Sequence, residues 1–160
     1  MSRRTSIVNA IVEKLKIIDG TGDFKTNLYD QAHAKLVFWD SVATMPSVYA
    51  VAGAEQREYL PGNFAWGFLN VALKVYCKGE TAQKELEDLL EDIERVINAN
   101  RVLQYGPSVP AYTPPDPVPP TVYEGETTEI LITSIITDEG LLDPYAVGEV
   151  NLQVRYQIVI

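Results

Sequence analysis

Residues 64–77 read FAWGFLNVALKVYC, and after a three-residue break residues 81–99 read TAQKELEDLLEDIERVINA. The two stretches obey different periods. In the first, Gly67, Leu69, Val71, Leu73, Val75 and Cys77 alternate with Trp66, Phe68, Asn70, Ala72, Lys74 and Tyr76. Period two puts each set on its own side of a strand, and the nearly all-apolar first set is the side expected to face a core. In the second, Leu86, Leu89, Leu90, Ile93, Val96 and Ile97 recur at helical spacing. Glu85, Glu87, Asp88, Glu91, Asp92 and Glu94 then fall on the opposite face, which reads as a solvated acidic surface. Thr81 is placed to cap the start, and Asn98 or Asn100 to end it. A half-buried strand feeding a helix with one apolar stripe describes a sheet covered by helices on one side.

Outward from this core the same logic extends to both ends. Residues 47–53, SVYAVAG, are strand formers that follow Pro46. Residues 54–63 read as a long connection between that strand and 64–77, closed by a Pro61-Gly62 turn of type II chemistry. In residues 27–40, Leu36-Val37-Phe38-Trp39 reads as a short strand or a buried turn. Ile7, Val8, Ile11, Val12, Leu15 and Ile18 mark a first helix over residues 5–18, capped by Thr5 or Ser6 and stopped by Gly20 and Gly22. Toward the other end, seven of the ten prolines crowd residues 107–120, which excludes helix and central strand there. That run, with Tyr105, Tyr112 and Tyr123 around it, makes residues 105–125 a loop or arm, serving as an interface or a tether. Two more strands, 127–137 and 148–160, are joined by turn residues Asp138-Glu139-Gly140 and Asp143-Pro144. The order helix, two strands, helix, two strands predicts one α+β domain over residues 1–160. Its sheet is mostly antiparallel, with the two main helices packed on one face.

Composition narrows the function. The chain has 13 Lys and Arg against 22 Asp and Glu, a formal charge of −9. That balance disfavours a surface built to grip phosphates, but leaves open a passage that repels the DNA it surrounds. Cys77 is the only cysteine, so no intrachain disulfide can form and a reducing compartment is expected. No run of eighteen apolar residues occurs and the start lacks a signal-type apolar core, so no membrane span is expected.

Chemistry finds little foothold. The lone His33 and Cys77 give no zinc-ligand spacing, and Cys77 lies on the core side of its strand, where a thiol is structural. Neither a phosphate-binding nor a dinucleotide-binding glycine motif is present, and Asp138-Glu139-Gly140 lacks the alternating acids of a calcium loop. No catalytic residue, metal or cofactor is expected.

Several stretches together resemble the tail terminators of long-tailed bacteriophages, in particular the T5-like form. They are residues 4–7, residues 27–29, Tyr59-Leu60-Pro61, Trp66, residues 73–76, and above all residues 132–145 and 148–157. The likeness spans nearly the full length and departs most in the proline run. It implies a hexameric ring of identical copies on the head-proximal end of the tail tube. Such a ring halts growth of the tube protein and presents a surface to the head connector or neck protein. It also implies assembly in the host bacterial cytoplasm, residence in the virion tail, and a lumen through which DNA passes without specific binding. The acidic face of the 81–99 helix is one candidate lining.

The family supplies no point motif for its contacts, so interface residues come from composition. Glu55, Arg57, Glu58 and Tyr59 in the 54–63 connection are the candidate tube contact. Asp138, Glu139 and Tyr145, with an exposed sheet edge, are candidates for the contact between subunits. Two other readings compete: a different neck component, such as a head-completion or stopper protein, and a metal-dependent hydrolase built on Asp138, Glu139 and Glu149.

Overall fold

The computed structural model describes residues 2–38, 41–42, 44–106 and 125–159. Within them a six-stranded sheet is joined by two helices. In chain order the elements are α1 (Arg3–Leu15), β1 (Ala32–His33), β2 (Ser47–Leu60), β3 (Phe64–Lys78), α2 (Ala82–Ala99), β4 (Gln104–Tyr105), β5 (Gly125–Thr137) and β6 (Tyr145–Val159). Across the sheet they lie in the order β1-β2-β3-β6-β5-β4. Every neighbouring pair is antiparallel except β1 with β2. The architecture is therefore α+β, with a mixed sheet.

The alternation read in 64–77 is what the sheet uses. Ala65, Leu69, Val71, Leu73, Val75 and Cys77 are buried, and β6 answers with Ala146, Val150, Leu152, Val154, Tyr156 and Ile158. α2 packs its apolar stripe against β3, β5 and β6, while α1 packs against β1, β2 and β4. All of these side chains join one hydrophobic cluster. At Gly148 a side chain would stand 3.1 Å from the Leu86 side chain, so the absence of one lets α2 sit close to the sheet.

Beyond the unexpected β4 and the earlier starts of β5 and β6, at Gly125 and Tyr145, the structure differs from the sequence expectations at five places. The first helix starts two residues early, because Ser2 caps it by accepting the Thr5 N–H at 3.1 Å; it ends at Leu15. The second is bounded as expected, but Thr81 makes no side-chain cap bond, while the Asn100 amide donates to the Val96 carbonyl at 2.8 Å.

Third, residues 54–63 are not a connection. β2 continues through Leu60, and the chain turns in only three residues, with Gly62 at φ 92° as the expected turn chemistry requires. Fourth, the Leu36–Trp39 stretch is neither strand nor buried turn where it is described: Leu36 and Phe38 are exposed, and Trp39 lies outside the described residues. The strand of this region is the unpredicted Ala32–His33. Val37 nevertheless has work here, since its carbonyl accepts the Tyr76 hydroxyl at 2.7 Å. Tyr76 is thus buried on the side of the strand opposite the expected core side.

Fifth, Asp92 does not belong to the solvated acidic face. It is buried, and its Oδ2 accepts from the Lys25 N–H, the Thr26 N–H and the Thr26 hydroxyl at 3.0, 2.9 and 2.7 Å. A carboxylate taking three donors can be buried where an unpaired one cannot. It ties the loop after α1 to the middle of α2. The proline run, most of the 105–125 arm and two of its three tyrosines, Tyr112 and Tyr123, lie outside the described residues.

Candidate functional site

The long strands have two ends, and the candidate residues divide between them. β3 pairs Phe64 with Val159 at one end and Lys78 with Tyr145 at the other, a separation of about 45 Å at roughly 3.3 Å per residue. Glu55, Arg57, Glu58 and Tyr59 belong to the β2–β3 hairpin end. Asp138, Glu139 and Tyr145 belong to the β5–β6 turn, at the opposite end. The structure groups the first four and the last three, and does not bring the two groups together.

At the hairpin end, Arg57, Glu58 and Tyr59 are exposed, Tyr59 by 63%. Glu55 is different, with a side chain only 5% exposed. A register shift between Ala52 and Glu55 turns it inward, where it accepts the Tyr156 hydroxyl and, at 2.8 Å, the Arg57 Nε–H. Tyr156 reaches it by crossing Gly67, whose missing side chain leaves the ring its path: a Cβ there would lie 2.7 Å from the ring.

Burial raises the Glu55 carboxyl, but the bonds from Tyr156 and Arg57 and the charges of Arg57 and Arg4 outweigh it and hold it below its usual value. Burial and the carboxylate push the Tyr156 phenol well above its ordinary range. Arg4 also donates to the Gly53 carbonyl, fastening the root of the shifted segment to α1. On the other face Arg155 stacks over Trp66 at 3.9 Å, and Phe64 meets Trp66 edge-on at 4.9 Å. The hairpin end is a stiffened platform of aromatic and charged side chains.

At the other end Asp138 organises the turn. Its carboxylate accepts the Leu142 and Val147 N–H groups at 3.1 and 3.2 Å, and its own N–H donates to the Val147 carbonyl at 2.9 Å. Burial raises its carboxyl, but these bonds and one from the Gln83 side chain leave it lowered. Glu139 is exposed in a left-handed conformation (φ 55°), and Leu141 beside it is 85% exposed. The Lys78 ammonium lies 5.1 Å over the Tyr145 ring.

The hydrolase reading required Asp138, Glu139 and Glu149 to converge. Instead Asp138 is committed to the turn backbone, and Glu149 pairs with Lys74 across β3 and β6. Among the described residues no group of three or more His, Cys, Asp or Glu is arranged to hold a metal. Cys77 is buried, with its thiol pushed up to about 12 by that burial, as its core-side position implied. On α2, Glu87, Glu91 and Glu94 are exposed, with Glu91 paired to Lys25 at 3.0 Å.

Sequence reasoning missed Tyr156 and Gly67, the pair on which the hairpin's polar anchor depends. A signal existed: a glycine inside a strand pattern marks a close approach. It also missed the anchoring role of Asp92, which reads as one acid among six.

The described residues thus present an exposed cluster at each end of a long sheet. A family model described as the bacteriophage tail tube terminator protein matches residues 1–159, and the chain belongs to that family. It is 36% identical to the tail tube terminator protein p142 of Escherichia phage T5 over 161 residues, covering 98% of this chain and 95% of that protein.

Proposed function

We propose that this chain is a structural component of the virion tail that caps the head-proximal end of the tail tube. It does so as a ring of identical copies, six in our reading, without catalysis and without a cofactor. The ring stops polymerisation of the tube protein and offers its far side to the head connector. The observation that carries this reading is family membership over residues 1–159, with 95% of the T5 protein covered.

The geometry supports a two-sided cap. A terminator needs one surface for the tube and another for the head, and the exposed clusters stand at opposite ends of the same strands. We assign the hairpin end, with Tyr59 and the Pro61-Gly62-Asn63 turn, to the tube; residues 138–145, expected from the sequence at the contact between subunits, stand at the opposite end and are assigned instead to the head side. Both helices, in this reading, lie on the buried side of the sheet and leave the two ends free. The charge of −9 keeps passing DNA from adhering to the lumen, so no specific DNA contact is needed.

The test is negative-stain microscopy of the tube protein polymerising with and without this chain. Short tubes capped at one end by a ring are expected. Tyr59→Glu should abolish capping, whereas Glu139→Lys should leave capping intact and impair joining to heads. Tubes that grow uncapped beside the unaltered chain would sink the reading.

A further inference from the structure

Residues 138–145 read DEGLLDPY, two leucines inside a run that carries three carboxylates. The fold treats the leucines differently. Leu142 is half-buried, while Leu141 is 85% exposed, the most exposed large apolar side chain among the described residues. A lone exposed leucine is ordinary on a protein surface. This one differs because the backbone beneath it is tied down at almost every step.

The Asp138 carboxylate accepts the Leu142 and Val147 N–H groups, and the Asp138 carbonyl accepts the Leu141 N–H at 3.1 Å. The Leu142 carbonyl accepts the Tyr145 N–H at 2.8 Å. The Pro144 carbonyl accepts the Gly79 N–H at 3.0 Å, which binds the turn to the chain leaving β3. Glu139 is held left-handed at φ 55°, a conformation that a residue with a side chain seldom keeps unless its surroundings fix it. A turn ordered in advance loses little freedom when a partner closes on it.

We propose that Leu141 is a docking knob on the head side of the cap: it enters an apolar socket, rimmed by Lys or Arg, on the neck component that the cap meets. The proposal rests on the assignment of this end to the head and names the group that makes the contact.

Position and charge select that occupant. The turn lies beyond the last pairs of the sheet, Thr137 with Gly148 and Lys78 with Tyr145, so it stands past the strand ends, opposite the hairpin. Glu139 and Asp143 flank Leu141 and are exposed, and Glu80, next to Gly79, adds a third exposed carboxylate. Lys78, at the same end, lies over the Tyr145 ring. The same turn of a second copy would bring carboxylates against carboxylates, whereas a basic rim is drawn to them.

Joining of tails to heads tests this. Tails are assembled with Leu141→Ser, with Leu141→Met, or with Glu139→Lys and Asp143→Lys together. Each preparation is mixed with DNA-filled heads of the same phage, and joined particles are counted by microscopy. Rings on the tube ends are scored in the same fields. All three positions are exposed, so the variants should fold.

Leu141→Ser tails should be capped as usual and join heads about tenfold more slowly or worse, the scale of a leucine withdrawn from an apolar socket. Leu141→Met, which keeps the apolar bulk, should restore most of the rate. The double charge reversal should join slowly and lose the salt dependence of the unaltered tails.

Normal joining by Leu141→Ser beside slow joining by the charge reversal would overturn the knob and leave the head-side assignment standing. Normal joining by both would overturn the assignment and the proposal together. Rings lost from Leu141→Ser tails, with the chain still folded by circular dichroism, would move the leucine to the ring or tube contact and overturn the proposal as well.

Discussion

The two halves of β2 are held in different ways. From Ser47 to Ala50 its side chains are buried on both faces, among α1, β1 and the apolar side chains of β3. From Gly53 to Tyr59 all but Glu55 are exposed, and that half is held by its pairing with β3 and by Glu55 gripping Tyr156 and Arg57. Apolar burial is non-directional and independent of pH, whereas a carboxylate anchor is directional and can be titrated away. This protein stabilises its centre by burial and aims its hairpin end by a few polar bonds.

Breaking the centre should have the largest effect. Ile93 is fully buried in the shared core, so Ile93→Ala should cost about 2–5 kcal/mol of global stability in urea unfolding. Both halves of β2 should be lost together. Gly67→Val comes next. Its side chain would collide with the Tyr156 ring, at a cost of roughly 1–3 kcal/mol by the usual scale of overpacking. Hydrogen exchange should speed up over residues 53–66 while amides of β3 beyond Leu69 keep their protection. Uniform loss across β3 would show that the outer half is not a separate unit.

The smallest and most selective change is in pH. The folded Glu55 carboxyl lies below its ordinary value of 4.5, so its contribution is complete above the unfolded value and is lost as pH falls through the folded one. Hairpin protection in the unaltered chain should therefore fall as pH drops below the ordinary carboxylate range. Glu55→Gln should start lower and stay flat over that window. The exposed Arg57 partner adds at most about 1 kcal/mol. Parallel pH profiles for the two chains would remove Glu55 from the account.

Much of this was legible beforehand. The alternation in residues 64–77, the apolar stripe from Leu86 to Ile97 and the burial of Cys77 follow from side-chain period alone, because a strand or helix exposes its pattern locally. Tyr59 and Glu139 were legible as exposed polar or aromatic residues in turn-rich surroundings. Glu55 was read as their equal and is not.

By itself the sequence determined the order of the two helices and the four long strands and the core sides of β3 and α2, since these depend on neighbours along the chain. Only the tertiary structure decided that residues 54–60 extend β2, that Asp92 is buried under Lys25 and Thr26, and that Tyr156 crosses Gly67 to reach Glu55. It also decided that the two candidate clusters stand at opposite ends of the sheet. Each of those outcomes depends on which distant segments become neighbours. Pairing is fixed by contacts between residues as far apart as Glu55 and Tyr156, which no local period can report.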